Sequence, residues 1–300
     1  MGKGSGIQRR GAAGLVTLLI VVLAAACGES STHSLGPDAH TTGTMTVDGI
    51  PRNYILYTPP GLPSKPVPLL LALHGGQEYG DTMEQRSGFD SLAQADGFIV
   101  VYPNGHGQTW NAGNCCGRPN VTTDNEVDFL SALITRISAA GRIDASRVYA
   151  TGFSAGAAMA YTLGCRLSDR IAAIAPVAGT MNLDTCHPQN PVSVMEIHGT
   201  LDLELLYDGG VSQGSAKPTA STPSILQRWA TLDGCNNAPP PHKQGDVDVM
   251  EWTGCSGVTA VQLETVNGGT HNWYAPQLDG ADGSIDATQA VWTFLSAHHR

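Results

Sequence analysis

The sequence predicts an α/β fold: a mostly parallel central sheet flanked by helices on both faces. Three observations predict it. Apolar runs of strand length recur, VPLLLAL at 67–73, FIVVY at 98–102 and IAAIAPVA at 171–178. Such runs lack the alternation of a sheet with one wet face, so both of their faces are buried. Between them lie segments with apolar residues at helical spacing, and strand and helix alternate along the chain. That order closes as parallel strands joined by crossover helices.

The elements follow in order. Residues 44–47 and 54–58 read as a hairpin around Asp48-Gly49. The run 67–73 is a buried strand ending in His74-Gly75-Gly76, and 98–102 is a second one. Val127, Leu130, Leu133, Ile134 and Ile137 recur on one helical face, with Thr123 or Asp124 as N-cap. Residues 147–152 (RVYATG) form a strand and 155–163 a helix of small residues. Buried strands follow at 171–178 and 192–198, then a helix at 224–232, strands at 249–253 and 259–266, and a last helix at 285–297. Segments 104–123 and 234–246 carry little periodicity and read as loops.

The N-terminus stands apart. Lys3, Arg9 and Arg10 precede an apolar run at 11–26 that is short for a membrane span. Ala24-Ala25-Ala26 then leads into Cys27. Residues 1–26 are therefore expected to be a signal peptide. The small residues before Cys27 are similar to a bacterial lipobox, which makes Cys27 the lipidated residue. Residues 27–43, rich in Ser, Thr, Gly and Pro, read as a tether. Residues 44–300 read as one catalytic domain, within the range of a single α/β unit.

Composition narrows the function. The chain of 300 residues has 16 basic and 26 acidic side chains, a net charge of −10. No basic cluster offers a phosphate backbone a footing, so nucleic acid is excluded as a partner. Membrane contact is expected only through the lipid anchor. Apart from Cys27, six cysteines remain, an even number suited to an oxidising compartment. Cys235 and Cys255 are expected to pair. Adjacent cysteines rarely bridge each other, so Cys115 and Cys116 are expected to reach Cys165 and Cys186, in an order the sequence leaves open. No CxxC spacing is present. Neither a metal nor another cofactor is expected, and the oligomeric state is left open.

The chemistry centres on Gly152-Phe153-Ser154-Ala155-Gly156. A buried strand runs into this GxSxG and a helix leaves it, the strand–turn–helix of a nucleophile elbow. A serine needs a base, and the base an acid to orient it. In this arrangement the acid and then the base follow the serine along the chain. Strand 192–198 leads into Asp202, the expected acid, with Asp184, Glu204 and Asp208 as competitors. His271, after the last strand, is the expected base. His74 and His198 end buried strands and are expected to satisfy backbone groups. The amide of Ala155 is one expected oxyanion donor, and that of Gly76 or Gln77 the other. Trp110 and Trp273 are expected substrate-binding residues, as aromatic walls beside the site.

Five ordered blocks, LHGGQ, TWNAGNCCG, TGFSAGAAM, IHGTLDLELLYDGG and GGTHNWY, resemble the polyhydroxybutyrate depolymerase/LpqC-type esterase family, which includes feruloyl and acetylxylan esterases. The resemblance runs from about residue 44 to the C-terminus. It implies an α/β-hydrolase fold, a Ser154–Asp202–His271 triad and no metal. Two blocks depart from the family pattern: Asn125-Glu126-Val127-Asp128-Phe129, and NGGTHNWY without the proline that often follows the tryptophan. The expected activity is hydrolysis of a small-molecule or oligosaccharide ester, feruloyl, acetyl or 3-hydroxybutyryl, through an acyl-enzyme. The alternatives are a serine peptidase or acyltransferase on the same fold, or a non-catalytic binding lipoprotein.

Overall fold

The computed structural model describes residues 1–2, 39–116, 122–213, 217–275 and 285–300. The expected signal peptide, Cys27 and most of the tether lie outside the described residues. Every element below belongs to one unit, Leu35–Arg300; a separate unit, Met1–Ser34, is described only at its first two residues.

The chain opens with an antiparallel hairpin, β1 (His40–Val47) and β2 (Ile50–Tyr57), turning at Asp48-Gly49, both with positive φ. Residues 40–43, expected as the end of the tether, are strand. Two contacts hold this start: His40 Nε2 lies 2.6 Å from Asp90 Oδ2 and 2.8 Å from Glu84 Oε1, and the Thr58 amide donates to Ala39 O. Then come β3 (Val67–Leu73), two short helices α1 (Gly80–Ser87) and α2 (Phe89–Asp96), and β4 (Ile99–Pro103). The helix α3 (Thr123–Ser138) starts from Thr122, whose hydroxyl accepts the Asn125 amide in a reciprocal cap. The cap thus sits one residue before the expected Thr123. Next are β5 (Ile143–Phe153), α4 (Ala155–Arg166), β6 (Ala173–Val177), β7 (Ser193–Gly199) and α5 (Thr222–Leu232). The chain closes with β8 (His242–Gln244), β9 (Val247–Trp252), β10 (Val261–Val266) and α6 (Ala287–Ser296).

The strands form one sheet in the order β1-β2-β4-β3-β5-β6-β7-β10-β9-β8. The six central strands, β4 to β10 in that order, pair in parallel, and the outer pairs are antiparallel. The central strands are buried along their apolar runs because both faces are covered. Alternate residues divide the core. Leu69, Leu71 and Leu73 of β3 pack on the face that carries Leu130, Met159 and Trp229 of α3, α4 and α5. Leu70 and Ala72 face the other way, toward Met83, Phe89 and Trp292 of α1, α2 and α6. The strand period of two thus builds two cores on one sheet.

Candidate active site

The C-terminal ends of β3, β5, β7 and β10 lie along one edge of the parallel sheet, where α/β folds gather ligand groups. Ser154 follows β5 directly and caps α4 with φ 55° and ψ −113°, a conformation that non-glycine residues rarely hold. Its neighbours make the turn possible. A Cβ at Gly156 would run into the Leu73 carbonyl, and one at Gly152 would lie 2.5 Å from the Gly156 backbone. Only hydrogen fits at either position. The Ser154 amide donates to Val177 O, which ties the turn to β6.

Asp202 and His271 come from neighbouring loops that are stitched together. The Thr200 amide donates to Val266 O, that of Leu201 to Gly269 O, and that of Gly268 to Thr200 Oγ1. Across this seam His271 Nδ1 lies 2.7 Å from Asp202 Oδ2. Asp202 Oδ1 accepts the amides of Glu204 and Leu205, each at 2.8 Å. Burial alone would raise the Asp202 pKa. Hydrogen bonds from His198 and His271 outweigh it and hold the carboxyl well below its usual range. Of the three competitors, Asp184 accepts the Asn114 amide group, Glu204 lines the cleft, and among the described residues neither Glu204 nor Asp208 makes a hydrogen bond or ion pair with His271.

Ser154, Ala155 and His271 open onto one cleft of about 570 Å³, shared with Gly76, Gln77, Glu78, Gln108, Thr109, Cys116 and Glu204. The Ala155 amide, at the first position of α4, has no intrahelical acceptor. The Gln77 amide, in contrast, is taken: it donates to Gln108 O at 2.7 Å. Of the two expected partners for Ala155, Gly76 keeps its amide without an acceptor among the described residues. A Cβ built on Gly76 would lie 4.0 Å from that of Ala155, so the two residues are neighbours. Glu78 at the rim forms a two-pronged ion pair with Arg86, whose guanidinium sits 4.6 Å from the Phe153 ring centre. A second hollow of about 590 Å³, among Pro59, Lys65, Arg147 and Trp292, holds none of the expected catalytic side chains.

Trp110 and Trp273 are not walls of the cleft. Both are fully buried. Trp110 Nε1 donates to His74 O, and Trp273 Nε1 to Thr288 Oγ1. A buried indole needs a partner for its N–H, and each finds one inside the core. The aromatic ring that does line the cleft is Phe153, 4.8 Å from the ring of His271. His74 behaves as expected of it: Nε2 accepts the Gly105 amide and Nδ1 meets Gly75 O.

The disulfides correct the expected pairing. Cys165 bonds Cys186, and Cys115 bonds its own neighbour Cys116. Cys165 on α4 and Cys186 have Cα atoms 5.5 Å apart, so neither needs a distant partner. Cys235 bonds Cys255 as expected.

Several buried polar contacts were not expected from sequence. His198 places Nε2 3.3 Å from Asp202 Oδ2 and Nδ1 2.9 Å from Glu196 Oε1, beyond the backbone contact expected of it. Tyr161 donates to the other oxygen of Glu196. The signal was a Glu inside an otherwise apolar strand, two residues before the His and hence on the same face. Glu126, in the block that departs from the family pattern, is buried in an ion pair with Arg52 and accepts the backbone amides of His106 and Asn111. It fixes the loop that leads to the cleft.

The profile of the family described as Esterase PHB depolymerase matches residues 52–226. Feruloyl esterase B of Piromyces equi is 33% identical over 233 residues, 73% of this chain and 42% of that protein. The chain thus matches under half the length of that relative. The putative esterase NocK of Nocardia uniformis subsp. tsuyamanensis is 31% identical over 287 residues, covering 86% of this chain and 83% of NocK. Feruloyl esterase C of Emericella nidulans is 28% identical, with 86% and 87% covered. Among solved structures, an acetyl xylan esterase from Aspergillus awamori superposes with a TM-score of 0.60 at 15% identity, over 86% of this chain and 99% of that one. That likeness establishes the α/β-hydrolase fold. The match over more than half of the chain, with these relatives, means that the chain belongs to the Esterase PHB depolymerase family of carboxylic ester hydrolases.

Proposed function

We propose that the chain is an exported serine esterase acting through Ser154, His271 and Asp202. The observation that carries the reading is the 2.7 Å contact of His271 Nδ1 with Asp202, in the cleft onto which the constrained Ser154 opens. Asp202 fixes the tautomer: with Nδ1 donating to the carboxylate, Nε2 carries the lone pair. His271 Nε2 takes the proton of Ser154 Oγ as the oxygen attacks the ester carbonyl carbon. The carbonyl oxygen becomes an anion facing the Ala155 and Gly76 amides. Collapse expels the alcohol, which takes the proton from His271. Water then repeats the sequence on the acyl-enzyme and releases the acid.

The substrate class follows from the cleft. Gln77, Gln108, Thr109 and Glu204 give it a polar, open rim, suited to a short or hydroxylated acyl group on a polar alcohol such as a sugar. Relatives named as feruloyl and acetylxylan esterases support that class. Ester cleavage is favoured over peptide cleavage because an alkoxide leaves far more readily than an amine. Ser154→Ala should lose roughly 10⁴–10⁶ of kcat on a p-nitrophenyl acetate assay and lose fluorophosphonate labelling. Turnover near wild type in that variant rules the mechanism out.

Export is supported by the three disulfides and by the basic, apolar and small-residue order before Cys27. No helix among the described residues is long and apolar enough to cross a membrane. With a lipid on Cys27 as anchor, Cys27→Ser should move the protein out of the membrane fraction or leave the precursor uncut. An unmodified mature N-terminus by mass spectrometry counts against the anchor.

A further inference from the structure

Behind Asp202 lies a second histidine that an ordinary triad does not need. His198 is the last residue but one of β7 and its side chain is almost wholly buried. Its Nε2 meets Leu205 O at 2.8 Å and Asp202 Oδ2 at 3.3 Å. Its Nδ1 meets Glu196 Oε1 at 2.9 Å and Thr222 Oγ1 at 3.2 Å. Three of these four partners, two carboxylates and a carbonyl, can only accept from a ring N–H when the acids are ionised. A neutral ring would aim one bare nitrogen lone pair at a carboxylate. Both nitrogens therefore carry protons.

We propose that His198 is a positioning residue, a permanent buried imidazolium that shares Asp202 with His271 and, with Glu196, sets the basicity of His271. The proposal rests on the triad reading. Glu196 accepts from three donors: Tyr161 OH on one oxygen, and the Gly179 amide at 3.2 Å and His198 on the other. Burial lowers the His198 pKa, but the hydrogen bonds to Asp202 and Glu196 prevail and raise it to about 10.

The charge count gives the function. Glu196, Asp202 and His198⁺ leave one net negative charge behind His271, as a lone Asp would. With His198 neutral there would be two, which would hold a proton on His271 and disable it as a base near neutral pH. The ionisable groups facing His198 are Glu196 on β7, Asp202 on the loop after it, and Tyr207, whose ring centre is 5.9 Å away. α4 adds Tyr161 through Glu196. α5 adds only the Thr222 hydroxyl, and β10 only Thr265, through Tyr207.

Two variants with opposite signs test this. His198→Gln removes the positive charge, so the acid limb of kcat/KM against pH should move up by about one unit. Glu196→Gln removes a negative charge while Asp202 still holds the His198 proton, so the limb should move down. A purely structural role gives no reason for opposite shifts. Fluorophosphonate labelling of Ser154 and thermal melts establish that each variant is folded. If His198→Gln does not fold, Glu196→Gln decides alone: a downward limb supports the proposal and any other overturns it. Nitrogen-15 NMR of the wild-type imidazoles needs no variant. One ring should stay doubly protonated from about pH 6 to about pH 8, below the raised pKa. No such ring, or unshifted limbs in both folded variants, overturns the proposal. Failure of the triad reading looks different, since Ser154→Ala would then keep its turnover.

Discussion

At Asp233 a carboxyl group is buried at the C-terminal end of α5, the wrong end of the helix dipole for a negative charge. Its Oδ1 accepts the Val192 amide, and its Oδ2 has no hydrogen-bond partner among the described residues. Burial pushes its pKa up from the usual 3.8 to about 7. The sign of the stability effect follows. Below about pH 4 the group is protonated in both states and costs nothing. As pH rises toward 7 the unfolded chain loses its proton and the folded chain keeps it, so folding is progressively disfavoured, fully so above 7. At ~1.4 kcal/mol per unit the cost is a few kcal/mol. Asp233→Asn should therefore melt higher than wild type, with a gap that widens from about pH 5 to about pH 8. A gap that is constant or narrows with pH contradicts the assignment. Nothing in the residues around 233 marked this group, because its cost depends on burial. The same limit explains Trp110 and Trp273. Their nearness to the site in sequence was legible, but their burial comes from α2, α6 and the His74 turn, which only the fold brings together. Ser154, Asp202 and His271 could be named as candidates because each follows a strand whose apolar run could be read locally. Gln77 could not be separated from Gly76 until the Gln108 carbonyl was seen to take its amide.

Among the elements, the central strands and the helices α3 to α6 were legible from apolar spacing. The misses were short or edge elements. α1 and α2, eight residues each, carry few apolar positions, and β8 is an exposed three-residue edge strand. β1 was expected to start at 44 because its first residues are polar; cross-strand pairing with β2 and the His40 contacts make them strand. The cysteines were misassigned for a related reason: spacing along the chain does not tell which loops meet. Cys165 sits in the last turn of α4, and the segment after β6 returns Cys186 to it across 21 residues. A bridge closing a loop of that size restricts the unfolded chain and contributes about 3 kcal/mol. It lies away from the cleft residues. Replacing Cys165 and Cys186 together by Ala should lower Tm while leaving kcat/KM at low temperature near wild type. Peptide mapping without reduction should recover 165 joined to 186, and a 115–165 or 116–186 peptide overturns the pairing. An unchanged Tm overturns its stabilising role.

On the scale of the whole molecule, charge and cleft shape act together on substrate choice. The chain carries a net −10. At the cleft, Glu78 is neutralised by Arg86, whereas Glu204 is exposed and unpaired with any cation among the described residues. An ester bearing a carboxylate on its acyl group therefore approaches a negative field with no unpaired cation aimed at it among the described residues, while a neutral acyl group does not. Acyl length should help little. Each buried methylene can contribute about 0.8 kcal/mol, but only against apolar walls. Here the rim is Gln77, Gln108, Thr109 and Glu204, with Phe153 as the one large apolar side chain among the described lining residues. We expect kcat/KM for neutral p-nitrophenyl esters to stop rising after a few carbons and to fall beyond about eight, where the chain outruns what a cleft of this class encloses. At matched length, a hemisuccinate ester should be turned over about tenfold less well than a neutral one, near 1.4 kcal/mol of repulsion. The gap should shrink as salt is raised, because exposed charges are screened over about 10 Å at 0.1 M. Glu204→Gln should shrink it at low salt and leave the neutral ester unaffected, since the backbone amide that Asp202 uses remains. A gap indifferent to both salt and Glu204 would place the discrimination in shape rather than charge, and rates that keep climbing with acyl length would require an apolar wall that Phe153 alone does not supply.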